Sequence, residues 1–218
     1  LLNGTKIWKK HRRFQLKKYI YLISPRKIKG NIFYNNLKKL FKTEKVQYFQ
    51  LRLKNTKKNK VIKIAKKIKK ITHCYNVKLI INDNPYIAKL VNAEGCHLGQ
   101  NDMSLIKARE ILGKNKIIGS TCHNSKKLAK KAIHQGADYI AFGSFYKSKT
   151  KKTAYKASLS ILKNMKKNKK ITKVAIGGID NYNYEKILLN GADFIAVSGN
   201  VWKNKNLSPL KALNQFKK

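Results

Sequence analysis

From residue 19 onward, short apolar runs rich in β-branched residues alternate with longer stretches whose apolar positions recur every three or four residues. Strands are predicted at 19–24, 48–53, 78–83, 95–99, 116–121, 139–143, 172–178 and 194–199. Several, such as Lys78-Leu79-Ile80-Ile81-Asn82-Asp83, are nearly continuous apolar runs and do not alternate. A strand covered on both faces has no polar side to show, so the pattern predicts a parallel sheet. Between the strands, 60–72 puts Val61, Ile62, Ile64, Ala65, Ile68 and Ile71 on one stripe and lysines on the rest, as an amphipathic helix does. Ile32, Phe33, Asn36, Leu37, Leu40 and Phe41 behave alike, and Leu207, Leu210, Leu213 and Phe216 form a closing stripe. Asn124 and Ser125 are candidate N-caps before the 128–133 stripe, and Gly136 is its stop.

Strand-then-helix, repeated eight times, predicts one closed α/β domain over 19–218, a (β/α)8 TIM barrel, preceded by a basic extension at 1–18. An internal repeat agrees. Gln135-Gly-Ala-Asp-Tyr-Ile-Ala-Phe-Gly143 resembles Asn190-Gly-Ala-Asp-Phe-Ile-Ala-Val-Ser198, and Asn92-Ala-Glu-Gly-Cys-His-Leu-Gly99 is a looser third copy. An open doubly wound sheet is the competing fold, but no Gly-rich dinucleotide fingerprint follows the first strand.

Composition changes this picture in one respect. Lys and Arg total 51 against nine Asp and Glu, a formal charge of +42. The lysines are spread over nearly every predicted helix, which reads as solvated outer faces, although so positive a field also draws in phosphorylated ligands. No nucleic-acid module accompanies the charge, so no specific nucleic acid is expected. Apolar runs of membrane-spanning length are absent, and 1–18 lacks a signal-peptide core. Cys74, Cys96 and Cys122 have no metal-type spacing and read as reduced thiols, so a cytoplasmic protein is expected.

The candidate chemistry lies at the strand ends, which barrel closure gathers onto one rim. Gln50, Arg52 and Lys54 alternate at the end of strand two, and period-two geometry points them one way as an anion site. Asp83 after strand three and Asp102 after strand four suit a hard cation such as Mg2+, held by carboxylates and substrate phosphate oxygens. Each is also a candidate helix N-cap. Strand five runs out through Thr121 and His123, the former a hydroxyl for a ligand or a cap, the latter an acid–base candidate or a turn-stabilising histidine; His97 reads as a structural histidine near the rim. The segment Gly143–Lys151 is rich in hydroxyls and cations, as a lid over phosphates would be, while Gly177, Gly178 and Gly199 leave backbone N–H groups free after strands seven and eight.

These motifs resemble, over 19–200, the thiamine phosphate synthase family. Its Gln-Leu-Arg-x-Lys strand stands as Gln50–Lys54, its Asn-Asp as Asn82-Asp83, and its His-x-Gly-Gln-x-Asp as His97–Asp102. Its Gly-x-Ser/Thr-x-His is Gly119–His123, its hydroxyl-x-Thr-Lys loop is Ser148–Lys151, and Ala-Ile-Gly-Gly-Ile is intact at 175–179. The resemblance implies a Mg2+-dependent condensation of a pyrimidine diphosphate with a thiazole phosphate. Gln50, Leu51, Arg52, Leu53, Lys54, Asn82, Thr121 and Lys151 would meet the pyrimidine diphosphate, with Arg52, Lys151 and Thr121 the catalytic set. Asp83 and Asp102 would hold Mg2+. Ser148, Lys149, Thr150, Gly178, Ser198 and Gly199 would meet the thiazole phosphate. Ser198-Gly199 departs from the family's Val/Ile-Ser pair, Thr121 from the commoner Ser, and Lys147 from a common Pro. The expected partners are these small phosphorylated substrates, with no membrane, and a homo-oligomer is compatible with the sequence. The alternatives are a thiazole tautomerase of the same superfamily, which needs neither diphosphate site nor metal, and a retired barrel that binds nucleic acid through its basic surface.

Overall fold

The apolar runs become eight parallel strands that close in chain order, with the last strand pairing the first through Ile20↔Ile195 and Leu22↔Val197. The chain is described here from a computed structural model covering residues 19–147, 155–165 and 170–217. The extension at 1–18 and residues 148–154, with Ser148, Lys149, Thr150 and Lys151 among them, lie outside the described residues.

The strands are β1 (Ile20–Ile23), β2 (Val46–Leu51), β3 (Lys78–Asn82), β4 (Gly95–Leu98), β5 (Ile117–His123), β6 (Tyr139–Gly143), β7 (Thr172–Ile176) and β8 (Phe194–Val197). The helices that follow them are α1 (Gly30–Phe41), α2 (Lys58–Cys74), α3 (Pro85–Leu90), α4 (Leu105–Leu112), α5 (Lys126–His134), α6 (Leu159–Met165) and α7 (Tyr184–Leu189). After β8 come a short α8 (Gly199–Trp202) and then α9 (Pro209–Asn214). None of the helices among the described residues is long and apolar enough to cross a membrane.

Alternate residues of each strand serve two cores. Outward residues such as Leu22, Phe49, Leu79 and Phe142 pack against the helices with Phe33, Leu37, Ile68 and Leu213. Inward residues fill the barrel: Tyr21, Ile23, Ile80, Tyr139, Ala141, Val174 and Ala196, with Tyr48, Ile117, Ile176 and Phe194 beside them. Aromatic rings thus take much of the space that branched aliphatic side chains usually fill in such barrels. Room for one of them is made across the barrel wall: a Cβ on Gly119 would lie 1.8 Å from the Tyr139 ring.

The internal repeat has one structural job. Glu94, Asp138 and Asp193 each stand just before an even-numbered strand and accept a backbone N–H from the strand before it, namely Leu79, Ile118 and Lys173. Each carboxylate also meets a cation: Lys69, Arg109 and Lys173 respectively. Three of the nine acids therefore secure the end of the barrel opposite the rim, where the first N–H groups of a strand would otherwise lack partners.

The helix on 60–72 extends to Lys58–Cys74. In α1 the buried stripe is Phe33, Leu37, Leu40 and Phe41, and Ile32, expected on it, is 77 % exposed. It lies one residue, about 100° of helix rotation, off that stripe. Ser125 is the N-cap of α5, accepting from the Leu128 N–H, while Asn124 turns away to accept from the Ser158 N–H.

Candidate active site

At the C-terminal ends of the strands the rim is sewn together by side chains of its own. The Ser24 N–H donates to the Gln50 carbonyl, and the Arg52 N–H donates to Ser24 Oγ at 3.0 Å. Ser198 Oγ donates to the Ser24 carbonyl at 3.2 Å, and Trp202 Nε1 donates to the Ile23 carbonyl at 2.7 Å. These bonds fix the exits of β1, β2 and β8 relative to one another before any ligand is considered.

The strand-two trio divides along its length. β2 ends at Leu51, so Gln50 is a strand residue buried in the barrel mouth, while Arg52 and Lys54 belong to the connection beyond it. Leu51 and Leu53 pack in the outer core with the helices, so only their backbones can reach a ligand at the rim. Burial disfavours the Arg52 charge, and Asp83 and Asp102 restore part of that loss while Arg26 opposes it. Lys54 Nζ lies 3.5 Å from Asp83 Oδ2.

Asp83 and Asp102 meet on this same arc. Asp83 follows β3 at φ 63°, with its N–H donating to the His97 carbonyl at 2.8 Å. Burial, and then the neighbouring Asp102, raise the Asp83 carboxyl above its ordinary range, with Lys54 partly offsetting them. Neither carboxylate is a helix cap. Asn84 caps α3 and Ser104 caps α4, and Asp102 Oδ2 instead accepts from the Gly99 N–H at 2.6 Å. Two neighbouring carboxylates with no capping duty form a donor set that fits a hard divalent cation. Among the described residues no group of three or more His, Cys, Asp or Glu gathers as a metal site, so any ion here would draw its other ligands from substrate or water.

Below them the barrel mouth has a polar floor. A cavity of about 30 Å³ is lined by Tyr21, Gln50, His97, Thr121 and Tyr139 together with apolar residues of β1, β6, β7 and β8. Thr121 Oγ1 lies 2.8 Å from His97 Nε2, so the hydroxyl faces inward and does not cap α5. Burial pushes the His97 pKa down to about 4, which leaves the imidazole neutral at physiological pH. Gln100 Nε2 donates to the Thr121 carbonyl, tying the connection after β4 to β5. His123 sits at φ 50° and stacks on Tyr155 with ring centroids 3.9 Å apart.

On the opposite arc, β7 leads into Gly177 at φ 105° and Gly178 at φ 63°. A Cβ on Gly177 would lie 2.0 Å from Ser144 Oγ, and one on Gly178 would lie 2.6 Å from the Lys147 carbonyl oxygen. Packing against the segment after β6 therefore already demands both glycines. Ser198 and Gly199 open α8, the short extra helix that barrel enzymes place after strand eight beside a phosphate. Sequence reading did not single out Tyr21 and Tyr139, whose hydroxyls meet in the floor at 2.8 Å. A signal existed: Gly119, its partner on the neighbouring strand β5, makes room for the Tyr139 ring. A larger hollow of about 180 Å³ lies elsewhere, outside the strand ring between the β4–α4 connection and α5, lined by Gln100, Met103, Ser120, Lys131 and Gln135 among others.

A closed parallel barrel with cations, paired carboxylates and an inward hydroxyl around one mouth defines a (β/α)8-barrel enzyme that works at its C-terminal rim. Residues 20–201 match the family model described as thiamine monophosphate synthase, and the chain belongs to that family. It is 57 % identical over 202 residues to the thiamine-phosphate synthase of Pelagibacter ubique, covering 92 % of this chain and 97 % of that one. With the thiamine-phosphate synthase of Clostridium acetobutylicum it shares 43 % identity over 179 residues, 82 % of this chain and 84 % of the relative. Among solved structures, thiamine phosphate pyrophosphorylase from Pyrococcus furiosus superposes with a TM-score of 0.80 at 30 % identity, covering 92 % of this chain and 94 % of that one.

Proposed function

We propose that the chain is a Mg2+-dependent transferase that joins 4-amino-2-methyl-5-(diphosphooxymethyl)pyrimidine to a thiazole phosphate, giving thiamine phosphate and diphosphate. The observation that carries this reading is the convergence of Arg52, Lys54, Asp83 and Asp102 on one arc of the rim, with Gln50 and Thr121 in the mouth of the barrel. A tautomerase would have no use for paired carboxylates beside two cations.

Gln50, Asn82 and Thr121 would hold the pyrimidine, and Arg52 and Lys54 its diphosphate. Asp83 and Asp102 would hold Mg2+, which when bound neutralises the charge on the departing diphosphate. Arg52 adds a fixed guanidinium to the same end of the substrate, where it gains strength as negative charge develops on the leaving oxygen. The family pattern assigns Lys151 the same task. The methylene C–O bond breaks with its electron pair going to the diphosphate, and the aminopyrimidine ring spreads the positive charge left on carbon. The thiazole nitrogen then gives its lone pair to that carbon, forming the C–N bond. No proton leaves the nucleophile, so the site needs no general base. Ser148, Lys149, Thr150, Gly178, Ser198 and Gly199 would seat the thiazole phosphate, the last three partly through backbone N–H groups. We place the enzyme in the cytoplasm, in keeping with three free cysteines, Cys74, Cys96 and Cys122.

Purified protein given both phosphorylated precursors should form thiamine phosphate with Mg2+ and stop when EDTA is added. KM for both anionic substrates should rise with ionic strength, since the +42 field that draws them in is screened. No product from both precursors with Mg2+ present would refute this function.

A further inference from the structure

Five polar side chains from five different strands touch in series across the barrel floor. Gln50 Nε2 donates to the Tyr21 hydroxyl at 3.2 Å, and the Tyr21 and Tyr139 hydroxyls lie 2.8 Å apart. The Tyr139 hydroxyl is 2.9 Å from His97 Nδ1, and His97 Nε2 is 2.8 Å from Thr121 Oγ1. Burying so many polar groups is costly unless each has a partner, and an apolar floor would have been simpler to fold.

Counting protons gives the series a direction. With the Gln50 amide nitrogen turned toward Tyr21, the Tyr21 oxygen accepts from it and its single hydrogen goes to Tyr139. Tyr139 in turn passes its hydrogen to His97 Nδ1. A neutral imidazole that accepts at Nδ1 carries its hydrogen on Nε2 and donates it to Thr121. Left over are the Thr121 hydroxyl hydrogen at one end and, at the other, the Gln50 side-chain carbonyl with its second amide hydrogen. The Tyr139 ring cannot easily leave this arrangement, because it lies across Gly119 and stacks with His97 at a centroid distance of 5.6 Å.

We infer that Tyr21, Tyr139 and His97 are positioning residues, a one-way hydrogen-bond relay that presents Thr121 to the pocket as a donor and Gln50 as an acceptor. The ligand that complements this pair is a heteroaromatic ring bearing an acceptor ring nitrogen and a donor amino group. The inference rests on the pyrimidine substrate proposed above and adds the device that orients the groups facing it. It also gives a role to His97, to which the proposed reaction assigns no chemical step.

The test combines 15N NMR of histidine-labelled protein with kinetics, the His97 signal being identified by its loss in His97→Gln. In the unsubstituted protein the proton should sit on Nε2. Tyr139→Phe removes the donor to Nδ1, so it should release the tautomer and raise KM for the pyrimidine diphosphate roughly tenfold, with kcat changing much less. Thr121→Val should give the same rise and Thr121→Ser should reverse it. A substrate analogue in which the contacted ring nitrogen is replaced by C–H should lose roughly tenfold in binding to the unsubstituted protein and nothing to Thr121→Val. A proton on Nδ1 in the unsubstituted protein overturns the relay. So does equal loss of that analogue by the Thr121→Val protein, which holds even if Tyr139→Phe does not fold. Failure of the substrate assignment looks different: no coupling activity, with the Nε2 proton still in place.

Discussion

Replacing Arg52 by Gln should lower kcat by roughly 10²–10³-fold, the usual loss when one preorganised donor to a developing anion is removed. The physical reason is that Arg52 stands half-buried at the mouth of the barrel, where burial works against its charge and Asp83 and Asp102 work for it. A guanidinium kept there interacts with a leaving diphosphate at a lower effective dielectric than bulk water provides. Folding does not depend on that charge. The backbone at this position is held by the Ser24 hydroxyl accepting from the Arg52 N–H, a bond that survives the substitution. Tm should therefore change little. Arg52→Lys should recover only part of the activity, because an ammonium offers a point charge in place of a planar fork. Steady-state kinetics beside a thermal melt measures both. Loss of folding in step with loss of activity would make Arg52 a structural residue.

Asp83→Asn should separate stability from activity in the opposite sense. The Asp83 carboxyl is raised by burial and by Asp102, so its ionised form is disfavoured in the folded state at neutral pH. Because the folded pKa lies above the unfolded one, the ionised group subtracts from stability at pH values above both, and a neutral amide relieves that penalty. The ion pair with Lys54 is lost, but Lys54 is largely exposed and the pair is worth little. Asn also tolerates the left-handed backbone at φ 63°, so the turn is retained. The substituted protein without metal should melt at the same temperature or higher. Its Mg2+-dependent activity should fall by at least about 100-fold, since the remaining Asp102 alone would bind the ion and its diphosphate poorly. A fall in Tm with activity preserved would remove Asp83 from the metal site.

Much of this was legible in the sequence, for reasons that particular residues show. Strands buried on both faces advertise themselves as unbroken apolar runs, so all eight were found, and β6 was found at its true ends, Tyr139 and Gly143. Errors fall where a strand leaves the ladder. The alternation of Gln50, Arg52 and Lys54 looks like a continuing strand, but pairing stops at Leu51 and the trailing residues belong to a loop. Gly177 ends β7 early because its φ of 105° is incompatible with the ladder. The paired glycines after β7 suggest phosphate binding, and their neighbours add a packing demand from Ser144 and Lys147 that no linear pattern reveals. Tyr21 and Tyr139 were hidden for a related reason. In sequence they read as apolar strand residues, and only closure of the barrel brings their hydroxyls together with His97. Periodicity tells which way a residue points but not what it meets across the barrel.

In the proposed enzyme, residues separated along the chain, from Gln50 to Gly199, form one two-ligand site at one rim. A crystal structure of the protein with Mg2+, the pyrimidine diphosphate and an unreactive thiazole phosphate analogue tests it most directly. The predicted result is a pyrimidine ring on the Gln50–Thr121 floor, its diphosphate between Arg52 and a metal on Asp83 and Asp102, and the second phosphate beside Gly178 and Ser198. Diphosphate density in the outer hollow against Lys131, or metal held away from both aspartates, would contradict it.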